Sequence, residues 1–378
     1  MSSLQGETQM NRSYALVMIF ARCLAAACAL MIAPVWGPAW GSTAGAGEAA
    51  CGVPVGNITP ICGLQAPEDL EPLPGGRALL VSEFGGLVGG PGRLSALHLK
   101  TRAVRQLYPE NTRRGERRWG DPDCSGEPGA EFSPHGIHLS RRSDGRRQLL
   151  VVNHGGRESI EFFELERSRE GFALLWRGCV IAAADQFLND VAALPDGGFL
   201  TTMMMKRSDP EALQRGFSGE LTGYVLRWHP QSGWSRLPGS EAPMPNGIQT
   251  DSQGRYAFLA TPGTKQVWKI ALPGGERLSA ASVANADNLS WTARGQLLAA
   301  GMDAGGELNF EDCMKGEESA CFVPSHVDEI DPKTMRVKPL FAYGNREMHP
   351  ATVGVRIGDK LYVGSYAGDR LLEVALDR

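Results

Sequence analysis

Along most of this chain, apolar residues come in short segments that alternate with polar ones or run together briefly before a Gly, Asp or Pro turn, the pattern of strands joined by hairpins. One theme recurs after Cys62: a polar or acidic residue, a short alternating apolar segment, a turn, and a second apolar segment. The copies run from Glu68 to Ser82, His135 to Ser140 with Gln148 to His154, Asn189 to Thr201, Asn246 to Ala260, and Asp287 to Ala300, with a vaguer last copy from Thr352 to Gly364. Starts lie roughly 40 to 65 residues apart, which suits one four-stranded blade per copy. Each copy supplies an inner and a second strand, and segments such as Gly223 to His229 and Gln266 to Ile270 supply third strands. The fold class this predicts is all-β, a six-bladed β-propeller spanning residues 67–378. Two long polar inserts, Glu110 to Glu131 and Asp303 to Ser325, read as loops and candidate rims of a binding cleft.

The first residues follow a different pattern. Polar residues through Asn11 and Arg12 precede an apolar stretch from Tyr14 to Trp36, which gives way to small residues up to Gly47. Residues 1–47 therefore read as a signal peptide or, because Arg22 interrupts a long run, an uncleaved N-terminal anchor. Residues 48–66 form an N-terminal segment before the propeller. Secretion or delivery to a periplasm follows, with membrane contact only through a retained leader.

Composition removes several function classes. With 42% hydrophobic and 21% charged residues, the chain of 378 has ample material for a core. A net charge of -4 and no basic stripe interleaved with aromatics exclude nucleic acid as an expected partner. Of the 8 cysteines, Cys23 and Cys28 fall in the leader, leaving Cys51, Cys62, Cys124, Cys179, Cys313 and Cys321 as an even set in an exported chain. Spacing suggests Cys51 with Cys62 and Cys313 with Cys321. No CxxC pair points to zinc.

In a propeller the inner strands begin at the central channel, so the first residue of each copy faces the axis. Those positions hold Glu68, His135, Asn189, Asn246, Asp287 and Asn288. The oxygen-bearing subset suits Ca²⁺, which accepts six to eight oxygen ligands in flexible geometry. Without a cation, their convergence would bury repelling carboxylates and unpaired amides. The adjacent Asp69 and Asp190 offer a second site or cap strands, so one or two calcium ions are expected.

Ser133-Pro-His-Gly-Ile137, Leu149-Leu-Val-Val-Asn-His154 and Ile160-Glu-Phe-Phe-Glu-Leu165, with Leu188-Asn-Asp190, Asn246-Gly-Ile248 and Asp287-Asn288 in order, resemble the paraoxonase/arylesterase family, within the wider gluconolactonase-like and strictosidine-synthase-like propellers. The resemblance covers roughly Pro67 to the C-terminus. It implies that Glu68, Asn189, Asn246, Asp287 and Asn288 hold a catalytic calcium, and that Asp69, Asp190 and the Ile137 carbonyl hold a structural one. It also implies a catalytic dyad in which His135 is the base and His154 its proton-relay partner. Chemistry agrees with such a site, since a cation polarises a carbonyl and a nearby imidazole deprotonates water near neutral pH.

Two departures stand out. Met203-Met-Met205 and Met302 replace polar and histidine residues of the family, which makes the pocket greasier. The family's disulfide to the last strand is missing, so hydrogen bonding must close the ring. The expected function is a calcium-dependent hydrolase of lactones or aryl esters, acting on a small, apolar substrate with activated water. No Gly-x-Ser-x-Gly elbow suggests an acyl-serine route. A sugar-lactone hydrolase and a non-catalytic calcium-stabilised binding propeller are the alternatives.

Overall fold

A strand segment in which every side chain is apolar must be covered on both faces, and this chain has such segments: Leu149 to Val152 and Leu297 to Ala300 are fully buried. The architecture supplies two neighbours for each. The computed structural model describes residues 50–86, 90–110, 113–116, 119–169, 171–303, 323–344 and 347–376. It is a ring of six antiparallel sheets, a six-bladed β-propeller.

Blade one comprises Pro67–Pro72, Ala78–Glu83, Arg93–His98 and Val104–Tyr108, from axis to rim. Blade two is Pro134–Arg141, Arg147–Asn153, Ser159–Ser168 and Gly171–Ile181, with Arg113–Arg114 added in parallel at its edge. Blade three is Gln186–Ala193, Phe199–Lys206, Tyr224–His229 and Gly233–Arg236, and blade four is Ile248–Thr250, Tyr256–Thr261, Gln266–Ala271 and Arg277–Ser282. Blade five is Ala286–Trp291, Leu297–Met302, Ser325–Ile330 and Val337–Tyr343. Blade six takes Ala351–Ile357, Lys360–Ser365 and Arg370–Ala375 from the end of the chain and Ile58–Cys62 from near its start. That last pairing is antiparallel, Ile58 opposite Val374 through Cys62 opposite Arg370. Hydrogen bonding thus closes the ring, as the missing cysteine in the final strand required.

One apolar cluster fills each of the six junctions between blades. In blade two, Leu149 and Val151 pack toward Leu80 and Leu94 of blade one, while Leu150 and Val152 pack toward Leu188, Val191 and Phe199 of blade three. Blade five repeats the division, with Leu297 and Ala299 on the blade-four side and Leu298 and Ala300 on the blade-six side. The period-2 geometry of a strand thereby ties each blade to both neighbours. Removing one such side chain, as in Leu150→Ala, costs about 2–5 kcal/mol.

Among the described residues there are two disulfides. Cys51–Cys62 clamps the closing strand, and Cys124–Cys179 fastens the insert ahead of blade two to that blade's strand Gly171–Ile181. Both are compatible with an oxidising compartment. Cys313 and Cys321 lie outside the described residues, as does the leader. Among the described residues no helix is long and apolar enough to cross a membrane.

Candidate metal centre and histidine relay

The inner strands all falter at the same place. Ladder register breaks between Pro67 and Asp69, Pro134 and Ile137, Leu188 and Val191, Ala286 and Leu289, and Ala351 and Val353. In blade four the strand begins only at Ile248, and the ladder thins before it to two bonds with Ala260, from Asn246 N at 3.0 Å and to the Gly247 carbonyl at 2.8 Å. Bulges of this kind re-aim side chains. Here they turn one residue from each blade into a cavity at the channel mouth: Glu68, His135, Asn189, Asn246, Asp287 and Thr352. The glycines following His135 and Asn246 have a steric reason: a Cβ at Gly136 would lie 2.5 Å from Asp190 Oδ1, and one at Gly247 would lie 2.4 Å from the Asp287 carbonyl oxygen.

The buried acceptors of this ring are not satisfied by protein. Glu68 Oε2, Asn189 Oδ1, Asn246 Oδ1 and Asn288 Oδ1 are each shielded from solvent and without a hydrogen-bond partner. Their donors are used up holding the arrangement: Asn288 Nδ2 donates to Glu68 Oε1 at 2.6 Å, and Asn189 Nδ2 faces Met204 Sδ at 3.7 Å. Thr352 Oγ1 donates to the Glu68 carbonyl at 2.6 Å, so blade six fixes the backbone that carries the glutamate. Burial, then the charges of Asp69 and Asp287, raise the Glu68 carboxyl well above the usual range. Burial raises Asp287 to about 7. Partnerless buried oxygens on Glu68, Asn189 and Asn246, which line one cavity with the Asp287 carboxylate, and on Asn288 behind Glu68 are what a hard cation needs and what an empty protein avoids. The donor set fits Ca²⁺.

One residue further along, the second layer differs. Asp69 Oδ1 accepts from Leu70 N at 2.8 Å and Oδ2 from Ile137 N at 2.7 Å. Asp190 Oδ1 accepts from Val191 N and Oδ2 from Ile248 N, both at 2.7 Å. Each carboxylate therefore bridges its own strand to the next blade. Burial nonetheless raises both carboxyls, Asp69 to about 7, and the charge of Asp69 adds to the rise at Asp190.

His135 and His154 meet as the sequence predicted, with His135 Nδ1 2.9 Å from His154 Nε2. His135 Nε2 lies 3.6 Å from Glu68 Oε1. Phe84 stacks on His135 at 4.4 Å and Phe187 on His154 at 4.3 Å, so each imidazole is clamped by an aromatic ring. Burial, with the nearby His154 and Arg207 charges, holds His135 well below its usual value. Sequence reasoning missed the next members. Glu158 lies beneath His154, its oxygens 3.1 and 3.0 Å from Nδ1, and Arg207 Nη2 donates to Glu158 Oε2 at 2.5 Å. Only the four-residue spacing from His154 to Glu158 in the turn hinted at this contact.

The cavity wall beyond the ring is apolar: Phe84, Met204, Leu213, Phe217, Met244 and Met302. Leu213 and Phe217 come from a short helix, Ala212–Phe217, inserted between the second and third strands of blade three. Of the three consecutive methionines, Met204 alone lines the cavity; Met203 packs between blades two and three. No described residue between Glu110 and Glu131 lines it, and Cys124 fastens that insert to blade two. The insert before Ser325 falls largely outside the described residues.

Fold and site together define a six-bladed propeller with an oxygen-lined axial mouth. The sequence matches no protein-family profile and no curated protein. Solved structures do resemble it. A luciferin-regenerating enzyme is 12% identical with a TM-score of 0.51, covering 84% of this chain and 94% of its own. A gluconolactonase from Xanthomonas campestris is 16% identical at a TM-score of 0.49, covering 85% and 89%. The calcium-binding protein regucalcin from Agrobacterium tumefaciens is 14% identical at 0.47, covering 83% and 90%. At such identities the likeness is one of fold.

Proposed function

We propose that this chain is an exported, calcium-dependent hydrolase of lactones and aryl esters with apolar substituents, using water as nucleophile. The observation that carries the reading is the set of buried, partnerless oxygens on Glu68, Asn189, Asn246 and Asn288. With Asp287, these residues would hold the cation. Asp69, Asp190 and the Ile137 carbonyl would hold a second, structural one. Bound at the mouth, Ca²⁺ supplies Lewis-acid polarisation of a carbonyl and neutralises charge developing on its oxygen. The rest falls to the protein. His135 takes a proton from the attacking water at Nε2, and stacking on Phe84 holds its ring in place. Met204, Met244, Met302 and Phe217 receive the apolar part of the substrate and exclude bulk water. The cavity has a volume of about 50 Å³, and Leu213 and Phe217 of the Ala212–Phe217 helix form part of its wall. This wall favours alkyl lactones and phenyl esters over sugar lactones, whose hydroxyls would lack partners.

The test is turnover of alkyl lactones, a sugar lactone and phenyl acetate by the mature protein. Chelation with EGTA and Glu68→Gln should each lower activity by roughly 10³-fold, and calcium should restore it in the wild type only. Turnover indifferent to chelator would sink the calcium mechanism. No turnover of any ester, with calcium shown to bind, would turn the reading to a binding propeller.

A further inference from the structure

The two histidines each have two tautomers, and the surroundings of Glu158 select one for both. Glu158 sits in the turn after the second strand of blade two and is only 5% exposed. Three groups converge on its carboxylate: Leu188 N donates to Oε1 at 2.7 Å, Arg207 Nη2 donates to Oε2 at 2.5 Å, and His154 Nδ1 lies within 3.1 Å of both oxygens. Burial works to raise this carboxyl, and the charges and hydrogen bonds of His154 and Arg207 outweigh it, holding it below the usual range. An ionised carboxylate only accepts, and a guanidinium only donates. A bare His154 Nδ1 would set its lone pair against two carboxylate oxygens. Arg207 Nη2 also approaches Nδ1, at 3.1 Å, but its shorter contact is with Glu158. The proton therefore sits on His154 Nδ1. Its Nε2 becomes the acceptor for His135 Nδ1–H across 2.9 Å, and His135 Nε2 is left with its lone pair toward the channel.

We propose that Glu158 is a positioning residue: through His154 it fixes the tautomer of both imidazoles so that His135 presents an unprotonated Nε2 to the channel. The catalytic consequence rests on the hydrolase reading, whereas the tautomers do not. When His135 Nε2 takes the proton of water, an N–H bond forms as the O–H bond breaks. His135 Nδ1–H can then pass to His154 Nε2, which places the positive charge beside the Glu158 carboxylate.

Replacing the carboxylate by an amide should reverse the chain. In Glu158→Gln, the oxygen is claimed by Leu188 N–H or Arg207, so the amide NH₂ is left to donate to His154 Nδ1. His154 then carries its proton on Nε2, and His135 Nδ1 becomes the acceptor. Long-range ¹H–¹⁵N correlation spectra of the full mature protein, labelled on its seven histidines, read this directly, with His135→Gln and His154→Gln assigning the two rings. The expected wild-type result is Nδ1–H on both rings, with Nε2–H on both in Glu158→Gln and wild-type tautomers kept in Glu158→Asp. Alongside, kcat on an alkyl lactone should fall roughly 10²-fold in Glu158→Gln with KM little changed, and recover in part in Glu158→Asp. Nε2–H on His154 in the wild type overturns the proposal even if no variant folds, and so do tautomers indifferent to Glu158→Gln. A wild type with the expected tautomers and no esterase or lactonase turnover refutes the hydrolase reading and leaves the tautomer assignment standing.

Discussion

Glu68 and Asp69 are neighbours on one strand, as are Asn189 and Asp190 on another, yet the two layers they form have opposite hydrogen-bond economies. In the upper layer, acceptor oxygens are buried without partners. In the lower, every carboxylate oxygen accepts a backbone N–H, and one of each pair of bonds crosses to the next blade. The upper layer is incomplete by itself and points to a ligand; the lower already joins blades through its N–H bonds, and each of its carboxylate oxygens keeps a lone pair for a structural cation. Adjacent residues of the same chemical type thus divide between function and fold according to what the bulged backbone offers them.

The largest test of this contrast is stability without calcium. Asp190→Ala strips partners from Val191 N and Ile248 N and should cost about 3 kcal/mol in denaturant unfolding of the EGTA-treated protein, since each buried N–H left without an acceptor costs roughly 1–3 kcal/mol. Asn189→Ala under the same conditions should cost below about 1 kcal/mol, since its oxygen bonds nothing. Equal costs would erase the distinction between layers.

A second test uses pH. A carboxyl whose value is raised in the fold binds a proton that the unfolded chain has already released, so its contribution is complete below its usual value of 3.8 and fades as pH climbs through about 7 for Asp287. Glu68, raised well above its usual range, adds in the same sense. The melting temperature of calcium-free protein should therefore rise as pH is lowered from 8 to 5, and added calcium should flatten the trend. A calcium-free melting temperature that falls over that interval would show that the upper carboxylates are not what limits the empty fold. The smallest effect concerns the wall above the ring. Met204→Ser should raise KM for a long-chain alkyl lactone by several-fold while leaving that for a short one little changed, because burial of one or two methylenes contributes about 0.8 kcal/mol each.

Much of this layout was legible in the sequence because the chain repeats itself. Placing the copies in register brought Glu68, His135, Asn189, Asn246 and Asp287 to equivalent positions, and the structure gathers them at one mouth. Blade six was the vaguest copy, and its contributor, Thr352, went unread for the same reason: a threonine at strand entry carries no signal of its own. Glu158 and Arg207 were illegible because neither occupies a repeat position. One lies in a turn and the other follows a second strand, and only curvature within blades two and three brings them beneath His154. The Cys124–Cys179 pairing was not predicted, because 55 residues of sequence separate two positions that the outer edge of blade two brings together.

Blade six is built from both ends of the described chain, and this has a consequence for the order of events in the cell. The strand Ile58–Cys62 is synthesised before the other described strands and has no sheet neighbour until Arg370–Ala375 has followed it. Contacts so distant in sequence form slowly. Thr352, which steadies the Glu68 backbone, belongs to that same late blade, so the mouth is assembled only after the hoop is joined. A nascent chain that still lacks blade six therefore has an unfinished mouth, and a finished mouth reports that the entire ring has arrived.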